Sequence, residues 1–112
     1  MVTLVIVLNK EDYLEDILST LVEYKVRGAT IIDSQGMASA IVSGNVRSIP
    51  FFGSLRNFIN EKHPYNKTIF SVVNEDLIDD IVKAIRNLFD KLEPGNGFMF
   101  TMPVNNIYLL DK

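Results

Sequence analysis

The sequence predicts one α+β domain with a split βαβ fold, in which the element order β-α-β-β-α-β builds an antiparallel sheet. The first observation is an internal repeat: residues 7–12 (VLNKED) recur, one residue out of register, at residues 72–76 (VVNED). The second is that each copy continues into an amphipathic helical pattern and a further apolar strand. The third is the long insertion between the copies, residues 36–67, which interrupts both patterns.

The first unit begins with a strand at residues 2–8, whose apolar residues do not alternate, so both of its faces should be buried. Asn9 is placed to cap the following helix, whose acidic first turn suits the helix dipole. Gly28 can adopt the left-handed conformation that ends a helix, and residues 29–34 form the second strand. One face of the helix is apolar, at Leu14, Ile17, Leu18, Leu21 and Val22.

The insertion at residues 36–67 contains glycine and proline that break regular structure, and residues 39–45 are small and polar apart from Ile41 and Val42. A connection of this length in a compact domain usually has a function of its own. One short apolar pattern predicts a helix at residues 55–60. The adjacent aromatic residues Phe51 and Phe52 need a surface to pack against, which the core, a neighbouring subunit or a target protein would supply.

The second unit repeats the first, with a strand at residues 68–73, Asn74 as helix cap and a fourth strand at residues 98–102. Residues 93–97 (EPGNG) form the turn before that strand, and residues 107–110 are apolar enough to add an edge strand. The apolar stripe of the second helix consists of Ile78, Ile81, Val82, Ile85, Leu88 and Phe89.

The composition is that of a single folded domain covering residues 1–112, and it argues against several classes of function. The net charge of −3 argues against nucleic acid as a partner. The absence of cysteine and of any long apolar stretch predicts a cytoplasmic protein that is not inserted in a membrane. His63 is the single histidine, so no metal site is predicted. The acidic residues at the helix starts form no acid–base pair, and we expect no enzymatic activity.

A split βαβ fold places both helices on one face of the sheet and leaves the other face uncovered. The strands put apolar residues on both faces, as in residues 5–8 (VIVL) and 98–100 (FMF). An uncovered apolar sheet is an association surface, and closed symmetric assembly is the common way to bury it. We therefore expect a homo-oligomer whose sheets face one another. The alternative is that the insertion folds back over this face.

Two groups of residues could bind an anionic ligand. The glycines on either side of Asn96, Gly95 and Gly97, let backbone N–H groups converge on an anion, although the same composition also makes a plain turn. Arg47 and Arg56 make the insertion basic, which suits an anionic ligand, an acidic partner or simply solubility. The residues alone leave this choice open.

The repeated units, the long insertion, residues 26–30 (VRGAT), and the Gly-Asn-Gly turn that leads to Pro103 and Val104 together resemble the nitrogen-regulatory P-II signalling family. The resemblance covers most of the chain. It implies a ferredoxin-like homotrimer with its sheets packed inward and with small effectors, typically ATP or ADP, held in clefts between subunits. It also implies that the insertion docks onto a regulated transporter or enzyme, in nitrogen metabolism.

The resemblance extends to individual positions. Gly36 matches the glycine that opens the family's loop near the nucleotide, and Thr30 matches a threonine near the base. Gly95, Asn96 and Gly97 match the family's Gly-Asp-Gly, whose backbone holds phosphates. This match favours the anion-binding interpretation of the turn.

The chain also departs from the family's pattern. Phe98 stands where the family has a lysine, and the tail at residues 105–111 lacks the two arginines that the family places there. Each charge-assisted contact contributes roughly 1.5–3 kcal/mol. We therefore expect triphosphate binding to be weaker by orders of magnitude, unless Arg47 and Arg56 supply replacement charge. The alternative function is a metal-responsive binding module similar to the CutA proteins, which share the trimeric architecture but need more metal ligands than one histidine.

Overall fold

The computed structural model describes residues 1–40, 65–89 and 93–111. The strands are β1 (Val2–Leu8), β2 (Thr30–Gln35), β3 (Tyr65–Val73) and β4 (Gly97–Pro103). The helices are α1 (Leu14–Glu23), α2 (Met37–Ala40) and α3 (Ile78–Arg86), and 3₁₀ turns at Glu11–Tyr13 and Glu75–Leu77 lead into α1 and α3. The strands form one antiparallel sheet in the order β2-β3-β1-β4. This topology, with the long insertion between β2 and β3, confirms the predicted split βαβ fold.

The core lies between the sheet and the helices α1 and α3. β1 is a central strand, because it pairs with both β3 and β4. Its residues Leu4, Ile6 and Leu8 alternate towards the helices and are at most 4% exposed. The core is completed by Ile17, Leu21, Ile69, Val73, Ile81 and Ile85. Each such side chain contributes roughly 1.5–3 kcal/mol when it is fully removed from water, so this layer holds the helices on the sheet.

The two helix starts differ although their sequences repeat. Asn74 caps the second one as predicted, since its side-chain oxygen accepts a hydrogen bond from the Asp76 amide at 2.9 Å. The prediction that Asn9 caps the first helix is wrong. Lys10 immediately precedes the 3₁₀ turn and makes no side-chain cap, and the Asn9 side chain donates instead to the Gly95 carbonyl. A contact between distant residues therefore replaces the local cap.

The first helix ends earlier than the sequence predicts. Lys25, and not Gly28, adopts the left-handed backbone beyond the helix, with a φ of 62°. Gly28 lies just before β2, where its carbonyl accepts a hydrogen bond from Ser71 Oγ. Val22 was predicted to be in the apolar stripe but is 72% exposed. The rotation of about 100° per residue in an α-helix turns it away from the face on which Leu21 is buried.

The strand limits differ slightly from the predicted ones. β2 begins and ends one residue later than predicted, and β4 extends one residue further at each end. β3 begins at Tyr65 rather than at residue 68. Together with α2, this shortens the irregular connection that was predicted at residues 36–67. The predicted helix at residues 55–60, with Phe51, Phe52 and His63, lies outside the described residues.

The predicted edge strand at residues 107–110 is wrong, since residues 104–111 form no strand. The Val104 amide donates to the Met1 carbonyl at 3.2 Å, which extends the pairing of β1 with β4 by one bond. Beyond it the apolar side chains are exposed, from 51% at Ile107 to 102% at Leu110. An apolar run forms an edge strand only when it pairs with a neighbouring strand, and within a single chain this run does not pair.

The sheet face opposite α1 and α3 carries several exposed apolar side chains. β4 presents Phe98, Phe100 and Met102 on this face, with 60%, 43% and 47% of their surfaces exposed. Ile32 of β2 and Val72 of β3 lie on the same face and are 47% and 42% exposed. These five residues define what we call the bare sheet face. The alternative that the insertion covers this face concerns residues outside the described part of the chain.

Candidate functional site

A chain of polar side chains crosses the end of the sheet from which the insertion leaves. Ser34 Oγ on β2 lies 2.7 Å from Thr68 Oγ1 on β3 and also bonds the Asn66 carbonyl at 3.3 Å. Asn66 Nδ2 donates to Asn9 Oδ1 at 3.4 Å, and Asn9 Nδ2 donates to the Gly95 carbonyl at 3.1 Å. These bonds connect the root of the insertion to the turn before β4.

The Gly-Asn-Gly turn is held against the end of β1. Gly95 and Gly97 have φ angles of 82° and 131°, which disfavour any residue with a Cβ. A Cβ on Gly97 would lie 1.9 Å from the Val7 carbonyl oxygen, so this position requires glycine for close approach as well. The Asn9 amide donates to the Asn96 carbonyl at 2.8 Å. The turn is therefore built by its glycines and fixed by Asn9.

The direction of the turn's N–H groups follows from these bonds. The carbonyls of Gly95 and Asn96 both accept hydrogen bonds from Asn9. No described peptide bond is cis, and in a trans peptide the N–H points opposite to the C=O. The N–H groups of Asn96 and Gly97 therefore point away from Asn9. Two neighbouring donors aimed to one side of a glycine turn can bind an anion.

The lysines at this end of the sheet are paired with carboxylates. Lys10 Nζ lies 2.9 Å from Glu93 Oε2. Lys67 Nζ bonds Asp33 on the adjacent strand and lies 3.4 Å from Glu11 Oε1. The hydrogen bond to the Asp33 carboxylate raises the pKa of Lys67 above its ordinary value. The charge of Asp33 and the contact with Glu11 raise this pKa further. Lys67 thus strengthens the root of the insertion, Lys10 joins the end of β1 to the turn before β4, and both are already neutralised.

The predicted binding residues are partly brought together. Gly36 follows β2 beside the polar chain, and a Cβ added there would meet Asn66 Nδ2 at 3.9 Å. Thr30 opens β2, pairs with Phe70 and is exposed, and the length of β2 places it roughly 20 Å from Gly36. Arg47 and Arg56 lie outside the described residues.

Phe98 occupies the position next to the turn where the resemblance leads one to expect a lysine. Its ring is 60% exposed and lies 6.1 Å from that of Phe100, with 20° between the ring planes. This pair presents an apolar surface on the bare sheet face directly after the turn. An anion at the turn would therefore depend on backbone donors rather than on a cation at this position.

The sequence reasoning missed Asn9, Asn66 and Ser34 as organising residues of the site. Asn9 has a signal in the repeat, because its counterpart Asn74 is a helix cap and the two could be compared. Asn66 and Ser34 carry no such signal, because their contacts join different strands. In residues 1–40, 65–89 and 93–111, no group of three metal-ligating side chains is present.

Comparison with known protein families identifies the family of this chain. A family model described as nitrogen regulatory protein P-II matches residues 1–111. A search of curated proteins found no match. In the part of the chain that the structure describes, no helix is both long and apolar enough to cross a bilayer.

Proposed function

The chain belongs to the nitrogen regulatory P-II family, and from this premise we propose that it is a trimeric regulator with a weakened nucleotide site between subunits. Proteins of this family are non-enzymatic signal transducers, they typically bind ATP or ADP, and they act as trimers on regulated targets. The chain is accordingly a nitrogen-regulatory signalling protein. Its own effector, assembly and target are the subject of the proposal.

The observation that carries the proposal is the bare sheet face. Phe98, Phe100, Met102, Ile32 and Val72 expose two-fifths or more of their surfaces on the same face of the sheet. A contiguous apolar patch of several hundred Å² is rare on a monomer. At about 25 cal/mol per Å², burying it stabilises an assembly by several kcal/mol per subunit before association costs. Three copies packed sheet to sheet would bury these residues in one closed interface.

The effector site is proposed at the Gly-Asn-Gly turn. The N–H groups of Asn96 and Gly97 point away from Asn9. Because Gly95 and Gly97 have no side chains, a phosphate group could approach these N–H groups closely, which supports phosphate binding. Gly36, at the root of the insertion, and Thr30, supplied by the same or a neighbouring subunit, complete the proposed site. Arg47 and Arg56 of the insertion are proposed to supply its positive charge.

Regulation is proposed to follow from the polar chain that joins the turn to the insertion. An anion that fixes the turn also fixes Asn9, and Asn9 bonds Asn66 next to Ser34. Ligand binding would thus bias the conformation of the segment that leaves β2, because a ligand shifts an equilibrium by its preference for one state. The proposed target that reads this segment is a transporter or a metabolic enzyme.

Light scattering on the purified protein tests the assembly. We expect a particle three times the mass of the 12.7 kDa chain at micromolar concentration. A particle with the mass of one chain would contradict the trimer and the clefts between subunits.

Calorimetric titration with ATP, ADP and cyclic AMP tests the effector. We expect binding of at least one of them, weakened by the missing cations, and a loss of roughly twofold to tenfold in affinity on Asn9→Ala, since one hydrogen bond contributes about 0.5–1.5 kcal/mol. Asn74→Ala is the matched control, because it removes the corresponding asparagine of the second unit without touching the turn. The absence of heat with all three nucleotides would remove the nucleotide from the proposal.

A further inference from the structure

A cleft of about 580 Å³ opens between α3 and β4, on the side of the sheet that the helices cover. Its volume is in the range of small-molecule sites, which are mostly apolar with a few polar groups. The buried floor and the half-buried walls are formed by Leu4, Ile6, Ile85, Val82, Phe89 and Met99. Phe89 is held in place by Tyr13, whose ring lies 4.4 Å away. The cleft is thus mostly apolar, with the Phe89 ring in one wall.

One charged group at this cleft lacks an ion-pair partner among the described residues, and a ligand could supply it. Asn96 also lines the cleft, and its Nδ2 donates to the Glu93 carbonyl at 2.9 Å. Arg86, in the last turn of α3, makes no ion pair with any residue in the described ranges.

The charge balance at the cleft favours an anion. Glu93 also lines the cleft, but its carboxylate is neutralised by Lys10 at 2.9 Å. The other charged residue among the described lining residues is Arg86, whose guanidinium suits a carboxylate geometrically because it can donate two parallel hydrogen bonds. An apolar interior with one cation at its edge matches a molecule that has an apolar body and one anionic end.

We propose that the cleft between α3 and β4 binds a small amphipathic carboxylate, with the carboxylate on Arg86 and the apolar body against Val82, Phe89 and Met99. This would be a second effector site, separate from the N–H groups of the glycine turn. The two sites adjoin, since Asn96 and Gly97 of the turn also line the cleft. The proposal does not depend on nucleotide binding at the turn.

Methionine methyl NMR tests the location. The chain has four methionines, of which Met99 lines the cleft and Met102 lies on the bare sheet face. On titration with sodium octanoate, we expect a saturable shift of the Met99 methyl signal and an unchanged Met102 signal. A shift at Met102 without one at Met99, or no saturable shift at either, would overturn the proposal.

Paired variants test the role of the charge. Arg86→Gln should weaken octanoate binding by roughly tenfold or more, since a hydrogen bond to a charged group is lost. Lys83→Gln is the matched control, because Lys83 lies in the same helical turn but does not line the cleft. The neutral analogue octan-1-ol should bind the wild type and Arg86→Gln equally. Equal losses in both variants would mean general charge attraction and would overturn the proposal.

The competing occupant is the apolar tail of this chain or of a second copy. Tyr108 is 83% exposed and lies close to the end of β4 in sequence. A nuclear Overhauser contact between the Met99 methyl and the Tyr108 ring in the ligand-free protein would assign the cleft to the tail. The absence of that contact, together with the Met99 shift, supports the carboxylate site.

Discussion

The two faces of the sheet are built from equally apolar residues and differ in what covers them. On the helix side, Leu4, Ile6, Leu8 and Ile69 are between 0% and 4% exposed. On the bare sheet face, Ile32 and the apolar residues of β4 are 43% to 60% exposed. β1 does not share this contrast, since Val5 lies on the bare side and is only 8% exposed between β3 and β4. The helix side is completed within the chain, whereas the described residues leave the apolar residues of the other strands uncovered on the bare side.

The hydrophobicity of a strand therefore indicates how many of its faces will be buried. It does not indicate which part of the protein covers each face. The first strand is apolar at both periodic positions, which predicts burial on both sides. Only the packing of α1 and α3 shows which side the described residues leave uncovered.

Replacing Gly97 should disturb both faces together, because β4 contributes to each. In Gly97→Ala the new Cβ would overlap the Val7 carbonyl oxygen at 1.9 Å on a backbone with φ of 131°. We expect a loss of more than about 4 kcal/mol in the free energy of unfolding, measured by urea denaturation followed by circular dichroism. Gly28→Ala, which has no atom within 4 Å of its added Cβ, should change it by less than about 0.5 kcal/mol. Similar values for the two variants would contradict the close approach of β4 to β1.

A charge on the bare sheet face should break the assembly and leave the chain folded. In Phe100→Glu an unpaired carboxylate would have to be buried in the interface, which costs at least about 3 kcal/mol and raises the dissociation constant by roughly a hundredfold. Sedimentation at micromolar concentration should show single chains. Val22→Glu, which puts the same charge on the exposed surface of α1, should assemble normally. An intact trimer in Phe100→Glu would show that this face is not the interface.

Two isoleucines of the sheet compare the faces directly. Ile69 is 0% exposed on the helix side, and Ile32 is 47% exposed on the bare side of the neighbouring strand. Ile69→Ala should lower the free energy of unfolding by about 2–5 kcal/mol at any protein concentration. Ile32→Ala should have a smaller effect that depends on concentration, because it acts through assembly. Urea unfolding at two protein concentrations separates these outcomes, and equal, concentration-independent losses would refute the contrast.

The smallest effect is expected from the ion pairs beside the root of the insertion. Asp33 and Glu11 raise the pKa of Lys67 above the ordinary value of 10.5. Protonated Lys67 therefore stabilises the folded state fully below pH 10.5, and this contribution is lost as the pH rises through the raised pKa. Unfolding midpoints between pH 9 and 11.5 should fall more steeply for the wild type than for Lys67→Met. Lys83→Met, which removes a lysine without an ion pair in the described residues, should follow the wild type.

The predictions from sequence succeed where the signal is local. Element order, the limits of β1 and the cap at Asn74 depend on residues close together in the chain, and the structure confirms them. The same reasoning is wrong at Asn9, because the bond to Gly95 spans 86 positions of the sequence. It is wrong at residues 107–110 as well, because an apolar run needs a pairing partner that the sequence does not identify.

The candidate site, too, was only partly predictable from the sequence. The glycine turn is visible in the sequence because its two glycines mark an unusual backbone, and the structure gives both of them positive φ. The polar chain through Ser34 and Asn66 is not visible, because it joins the ends of different strands. The cleft on the helix side was not predicted either, since it depends on the distance between α3 and β4.

Periodicity and backbone preference act over a few neighbouring residues, and the sequence therefore predicted the repeated β-α-β unit, the apolar β1 strand and the glycine turn. Three features depend on the tertiary structure: which sheet face the described residues leave uncovered, where Asn9 directs its hydrogen bonds, and which residues surround the cleft beside Arg86. These features depend on contacts between residues far apart in the chain, and their geometry is set only when the helices pack on the sheet.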